Sequence, residues 1–596
     1  MRASKLPDKA LKIGEGVMVI MNKGRDYYGL KWSVSKYDPY GELAYSHYMS
    51  ARGVDDLEVI DLPSGYVSDL LAAEIVNWRP EQAIGIFADT GSGKNFFIEH
   101  VLLNHAKKQK GRILLLTNRV ALGRQTKLRL ATYCGKEDLL EIYTDSGLDT
   151  LTNFGVIEAV SYQQLGEWLN RESEKLESLT NQNFSYVVAD EVHFLTSDAN
   201  FNALTDMTLD FITREFPNAV RIYMTATPED IFPIIYEKDC GFVTSNPSAW
   251  IDTGSPYRWK VYLFAHDFTR FQIHPYRKKA DLIEAIKRTK EEKWMIFVDS
   301  VSTGKVFEEM IPDSQLIWAG SKNEGDAGYK EYKKIIDEEK FNVRVLITTS
   351  VLENGVNIKD PEVRHIAIMA EERCQFMQML GRVRRIPEIA INVYFPESDE
   401  IDIQCRLRQA ERRKDAYVLS RESPTDYFDK YLKNGTETYG DNSGTACTIR
   451  NSGRLHVNTL TWVKSWRMEI PQLNRLLERI KAGDPHAVTK MKYSWLNHEF
   501  DSADYLTEYS KTRGIEELTL FLASYEGKEF KGTTAQKDFS EKFSAMFHCF
   551  FGKRKEDKTK NEVYGLNKMN KALDELGMSF SIESKRAVWV VVKHDV

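Results

Sequence analysis

The sequence predicts an α/β fold built from two tandem doubly wound domains. Residues 66–255 alternate continuous apolar runs with amphipathic stretches, and Ala83–Ala88, Arg112–Thr117, Gly155–Ser161, Ser185–Asp190 and Ala219–Thr225 each read as a strand. Unbroken apolar runs belong to parallel strands that helices cover on both faces. Residues 256–400 repeat the pattern with Trp294–Val298, Gln315–Trp318, Arg344–Thr348, Arg364–Met369 and Ile389–Phe395. Strands separated by helical stretches imply parallel βαβ units. A glycine-rich loop opens the first block and has no counterpart in the second. A nucleotide is therefore expected at a cleft between two domains.

Length and composition set the limits. At about 100–200 residues per domain, 596 residues make about three to five domains. The 42% hydrophobic and 28% charged content is that of a chain able to build large cores. No apolar run approaches the ~18 residues of a membrane span, and Met1 to Pro7 lacks the apolar core of a signal peptide. Cys134, Cys240, Cys374, Cys405, Cys447 and Cys549 form no CxxC pair. That argues against a zinc site or a disulfide framework and for a reducing cytoplasm. With 81 Lys and Arg against 87 Asp and Glu, the net charge is −6, so any basic footprint for nucleic acid must be local.

In chain order, residues 1–65 are expected as a small β-rich module, with strands at Val17–Met21 and Tyr27–Val34 about an Asn22–Arg25 turn. The domains at 66–255 and 256–400 follow. Residues 401–525 turn helical and charged, with one helix over Cys405–Ser420 and a polar loop over Gly435–Gly453. Residues 526–596 read as helix Gln536–Phe551, a basic stretch, helix Tyr564–Leu576 and a hairpin of Ser579–Ile582 and Ala587–Val592 about Glu583–Arg586. Two helices and a hairpin suggest a winged-helix-like unit.

The run from Ala83 to Asn95 is a strand, a loop containing Gly91 and Gly93, then Lys94 at the start of a helical stretch. Glycines let backbone N–H groups turn onto an anion, the helix N-terminus adds positive partial charge, and a lysine reaches the outer phosphates. Ala88 and Asn95 stand where the strict phosphate-loop pattern has Gly and Ser or Thr. Downstream, the apolar run at Ser185 ends in Asp190-Glu-Val-His193, and the carboxyl end of a strand is where an open sheet binds ligand. In a nucleotide site Asp190 holds Mg²⁺ and Glu191 activates the attacking water. The bland alternative is an acidic strand end in solvent.

Gly91-Ser-Gly-Lys94 with Asp190-Glu-Val-His193 resembles motifs I and II of superfamily 2 helicases, the DExH-box group. The other motifs then appear in order. Thr117–Gln125 resembles motif Ia, Ser161–Leu165 the next backbone-contacting segment, Thr225-Ala-Thr227 motif III and Ile296–Ser300 motif IV. Thr348–Asn357 resembles motif V and Gln378–Arg385 motif VI. The resemblance covers residues 66–400 and implies two RecA-like domains, ATP and Mg²⁺ as ligands, and nucleic acid as partner, DNA ahead of RNA. It implies a bacterial, phage or mobile-element setting.

By that resemblance Thr90, Gly91, Ser92, Gly93, Lys94, Asn95, Gly355 and Asn357 bind nucleotide. Asn95 and Asp190 hold the metal, and Lys94, Glu191, Gln378, Arg382 and Arg385 are catalytic. His193, Thr225 and Thr227 couple the sites. Arg119, Gln125, Ser161 and Thr349 meet the nucleic-acid backbone. Arg382 and Arg385 are spaced to share a helix face, which suits transition-state charge on a triphosphate. Met379, Asn354 and Asn357 depart from common family residues, and no DEAD-box glutamine motif stands at the usual spacing.

Two features stay open. Lys553, Arg554, Lys555, Lys558, Lys560, Lys568, Lys571, Lys585 and Arg586 form either a phosphate-contacting surface or a solvated charged linker broken by Glu556, Asp557 and Glu562. Trp462, Trp466 and Trp495 either stack bases or pack helices, with packing preferred. The expected activity is ATP-driven helicase or translocase action. The alternatives are a duplex DNA translocase subunit of a restriction or defence complex and a nucleotide-gated binding protein with little turnover.

Overall fold

A computed structural model describes residues 11–13, 17–19, 57–118, 120–136, 151–245, 258–352, 358, 360–382, 389–431, 445–450, 455–507, 511–552, 554, 557 and 562–594. The chain divides into two compact units. One is Met1–Asp267 with Leu407–Arg475, and the other is Phe268–Arg406 with Leu476–Val596. Among the described residues, no helix is long and apolar enough to cross a membrane.

In the first unit, β1 (Leu11–Ile13) pairs antiparallel with β2 (Val17–Val19). The expected strand at Tyr27–Val34 lies outside the described residues. The main sheet contains β3 (Leu57–Leu62), β4 (Ala83–Phe87), β5 (Ile113–Thr117), β6 (Ile157–Ser161), β7 (Tyr186–Ala189), β8 (Val220–Thr225) and β9 (Trp259–Phe264). Its order is β3-β9-β4-β8-β7-β5-β6, and every pairing is parallel. Successive side chains of a strand leave opposite faces. Phe87, Leu114, Leu116, Val187 and Tyr223 thus enter one core, while Ile86, Ile113, Leu115, Val188 and Met224 enter the other. This double coverage is why the five expected strands read as unbroken apolar runs.

Two strands of this sheet, β3 and β9, were not expected. Each carries charge in its interior, and Lys260 of β9 pairs with Glu58 of β3 at 3.2 Å on the sheet edge. That edge pairing masks them in a search for fully apolar runs.

The second unit holds a six-stranded parallel sheet of β10 (Phe271–Tyr276), β11 (Lys293–Phe297), β12 (Ser314–Ile317), β13 (Val345–Thr348), β14 (Val363–Ile368) and β15 (Ile391–Pro396), ordered β10-β15-β14-β11-β13-β12. Strand β10 was not expected, because it contains Pro275. Proline cannot donate to a ladder, and β10 sits at the sheet edge, where proline is tolerated.

Residues 401–525, expected as one helical accessory domain, divide between the units. The charged helix runs over Glu400–Glu422. The hairpin of β16 (Cys447–Ile449) and β17 (Leu455–Val457) belongs to the first unit. There the Asn458 amide donates to Ala199 O, Asn202 O and Thr205 Oγ1, and Thr459 N–H donates to Asp206 at 2.8 Å. The helix Ala487–Trp495 belongs to the second unit, where the fully buried Lys492 lies 3.4 Å from Glu371.

The last segment contains β18 (Glu529–Lys531), helices Gly532–Phe551 and Leu566–Glu575, β19 (Phe580–Lys585) and β20 (Val588–Lys593), with sheet order β18-β20-β19. The hairpin turns at Arg586-Ala587, both with positive φ, whereas Glu583–Lys585 lie within β19. Phe543, Phe547, Leu573 and Ile582 share one core with Ile283 and Phe307, which lie on the helices Lys279–Arg288 and Val301–Met310 of the second unit.

Candidate active site

The loop containing Gly91 and Gly93 leaves the carboxyl end of β4, a fully buried central strand. Gly91 and Gly93 have φ of +83° and +81°, the left-handed region that glycine enters without a Cβ penalty. Lys94 then opens a helical run of Lys94–Phe96, a π-helical Phe97–Leu102 and Leu103–Lys108. The Lys94 ammonium is held inside the loop, donating to Ala88 O at 3.0 Å and Asp89 O at 3.1 Å. Its side chain is 7% exposed and stands 3.8 Å from Glu191 Oε1. Thr90 and Ser92 complete the loop, with Ser92 Oγ donating to Asp89 O, and Asn95 is half-buried in the first helical turn.

Strand β8 lies between β4 and β7, so the loop after β4 and the acids after β7 flank the end of β8. Asp190 is buried, and its Oδ1 has no hydrogen-bond partner among the described residues. Burial first, and then the neighbouring Glu191 charge, pushes the Asp190 pKa up to about 7. A buried acid with an orphaned oxygen beside a second carboxylate fits a divalent cation, which supplies the missing positive charge. Glu191 has φ +49°, a conformation rarely occupied by side-chain-bearing residues. His193, 1% exposed, places Nδ1 2.9 Å from Thr225 Oγ1 and 3.3 Å from Glu191 Oε2. The same Thr225 oxygen accepts from Thr227 N–H at 3.0 Å.

Lys94, Asp190, Glu191, His193, Thr225 and Thr227 are therefore brought together in the first unit. Ser161 ends β6, where it accepts from Gln164 N–H in a reciprocal capping box. Arg119 and the Gln125 side chain lie outside the described residues.

In the second unit, the helix Arg373–Leu380 buries Phe376, Gln378, Met379 and Leu380. It ends at Leu380, and Arg382 stands in the following turn. Arg382 donates to Gln378 Oε1 at 3.4 Å. Arg385, Gly355 and Asn357 lie outside the described residues. Thr349 is half-buried after β13, its carbonyl accepting from Thr348 Oγ1 at 3.0 Å.

One of the two open features resolves. Trp462 and Trp495 are 5% and 2% exposed, and Trp466 stacks on Trp462 at 5.1 Å, so these rings pack helices and are not free for bases. Three described cations of the C-terminal segment are held by acids. Arg554 reaches Glu575 at 2.7 Å, Lys568 reaches Asp557 and Glu562 at 3.0 and 2.8 Å, and Lys585 reaches Glu583 at 2.9 Å. Lys553, Lys555, Lys558 and Lys560 lie outside the described residues.

Two contacts escaped the sequence reading. Tyr66 precedes the helix Val67–Leu71 and is 61% exposed, and a Cβ placed on Gly93 would lie 3.3 Å from its ring. Asp89 of the loop pairs with His266 beyond β9. Neither partnership has a local signal, since each joins residues far apart in sequence.

Residues 64–230 match the family described as type III restriction enzyme, res subunit. Residues 277–387 match the helicase conserved C-terminal domain. A curated relative, putative helicase 22 of Sulfolobus islandicus filamentous virus (isolate Iceland/Hveragerdi), is 23% identical over 346 residues, covering 51% of this chain and 58% of the relative. Among solved structures, the DEAD-box helicase Mss116 bound to ssRNA and UDP-BeF is 14% identical with TM-score 0.41, over 78% of this chain and 97% of that one. The Mycobacterium smegmatis helicase Lhr bound to ssDNA and AMP-PNP is 13% identical with TM-score 0.37, over 72% and 62%.

Proposed function

We propose that the chain is a superfamily 2 helicase that hydrolyses ATP to move along or unwind nucleic acid, DNA ahead of RNA, a reading supported by the family matches over residues 64–230 and 277–387. One observation carries the reading. The buried Lys94 ammonium and the Asp190-Glu191 acids meet beyond the ends of β4 and β7, on either side of β8, with Lys94 3.8 Å from Glu191.

The loop N–H groups around Gly91 and Gly93 cradle the phosphates, and Lys94 exchanges its carbonyl partners for outer phosphate oxygens. Asp190 and Asn95 would hold Mg²⁺, which would neutralise phosphate charge during transfer. Glu191 orients the attacking water and accepts its proton. Tyr66 offers an exposed ring to the base. Gln378, Arg382 and Arg385 answer the charge that develops on the transferred group. His193, Thr225 and Thr227 link hydrolysis to strand contact at Arg119, Gln125, Ser161 and Thr349. Contacts of this kind go to phosphates and carry little sequence preference. We place the protein in the cytoplasm, in keeping with the free thiols of Cys134, Cys374, Cys405, Cys447 and Cys549.

The match of residues 64–230 to a restriction-enzyme family favours one second reading, a translocase that moves on duplex DNA without separating strands. Strand-displacement and triplex-displacement assays distinguish the two. A helicase releases the paired strand, whereas a translocase releases only the triplex strand.

A further inference from the structure

Tyr162 directly follows Ser161 and is the first residue of the helix Tyr162–Arg171. It is 1% exposed, and its hydroxyl donates to the backbone carbonyl of Asp190 at 2.8 Å. Asp190 N–H donates in turn to Leu116 O at 2.9 Å, so both polar groups of this backbone unit are fixed from outside. The next residue, Glu191, holds its left-handed φ of +49°, and Val192 N–H donates to Met224 O at 3.0 Å. A strained backbone of this kind persists only where its surroundings fix it. The Tyr162 hydroxyl therefore anchors the peptide joining the two acids.

The ring is also tied to both flanks. It stacks on Phe194 with centroids 6.0 Å apart and planes 11° from parallel. The reciprocal Ser161–Gln164 bonds make Tyr162 part of a rigid first helical turn.

We propose that Tyr162 is a positioning residue that carries strand engagement at Ser161 to the Asp190-Glu191 pair. This rests on the helicase reading of the site. A phosphate drawn to Ser161 shifts the first turn of the helix, and the Tyr162 hydroxyl moves the Asp190–Glu191 peptide with it. Allosteric coupling is a reciprocal free energy, so bound nucleotide must alter strand affinity by the same route.

The test uses the full chain, wild type and Tyr162→Phe, which keeps the ring and its stack. Affinities for labelled oligodeoxythymidine and oligouridine are measured with and without AMP-PNP, beside ATP turnover with and without each oligonucleotide. Wild type should show a coupling factor of about 5–150-fold. In Tyr162→Phe that factor falls toward one and stimulation of kcat is lost, while each separate affinity and the KM for ATP hold. A simple packing defect would instead weaken the separate affinities. Coupling preserved in Tyr162→Phe overturns the role of Tyr162 alone. A wild-type chain that responds to neither oligonucleotide overturns the helicase reading and this proposal with it.

Discussion

His193 Nδ1 and Thr225 Oγ1 lie 2.9 Å apart, joining the segment after β7 to the last residue of β8. Both side chains are buried. Replacing Thr225 with Val removes the hydroxyl that serves His193 and the Thr227 N–H, leaving buried groups unpaired at about 1–3 kcal/mol. Thr225→Val should lower stability by that amount in urea denaturation and cut nucleic-acid-stimulated turnover more than basal turnover. Thr225→Ser, which keeps the oxygen, should stay near wild type.

Gly91 and Gly93 make a graded comparison. An L side chain at either left-handed position costs about 1–2 kcal/mol. A Cβ on Gly91 meets nothing within 4 Å, whereas one on Gly93 also lies 3.3 Å from Tyr66. Titration with a fluorescent ATP analogue should show weaker binding for both alanine variants, with Gly93→Ala the worse.

Asp239 is fully buried and accepts from Arg221, from Arg258 at 3.1 Å and from Trp259 Nε1 at 2.8 Å. It ties the helix Phe232–Ser245 to β8 and β9. Removing one partner of a buried ion pair costs about 3–5 kcal/mol. Asp239→Asn should show a loss of that order in denaturant unfolding.

The His456–Asp206 pair makes docking of the β16–β17 hairpin depend on pH. Burial alone lowers the His456 pKa, but the Asp206 carboxylate 3.0 Å away outweighs it, and the net shift is upward. Burial alone raises the Asp206 pKa, but His456 and the Thr459 N–H outweigh it, and the net shift is downward. The raised histidine stabilises fully below its unfolded value of 6.5 and loses this as pH rises through its folded value. The lowered acid stabilises above 3.8 and loses this as pH falls through its folded value. Hydrogen exchange of Thr459–Thr461, corrected for intrinsic rates, should show protection declining as pH rises above 6.5. His456→Gln should flatten that decline.

The central strands were legible because parallel strands covered on both faces carry a strong apolar signal. Strands β3, β9 and β10 were not. Lys260 and Glu58 neutralise each other across β9 and β3, and Pro275 marks β10 as an edge by breaking the pattern of a central strand. At the site, local spacing marked Lys94, Asp190 and Glu191, because the phosphate loop and the acidic strand end are contiguous motifs. The Tyr162–Asp190 bond was hidden, since it depends on which way a side chain turns 28 positions away. Charge runs mislead when their interrupting acids are the partners, as Asp557 and Glu562 are for Lys568.

The most direct measurement is ATP turnover by the purified chain alone and with single-stranded DNA, single-stranded RNA or duplex, beside Lys94→Ala and Glu191→Gln. Mg²⁺-dependent hydrolysis that rises with nucleic acid and falls at least about a hundredfold in both variants, a fall of about 2.7 kcal/mol in transition-state stabilisation, is the expected result. Turnover unaffected by every nucleic acid at low salt, or undiminished in either variant, would contradict the account.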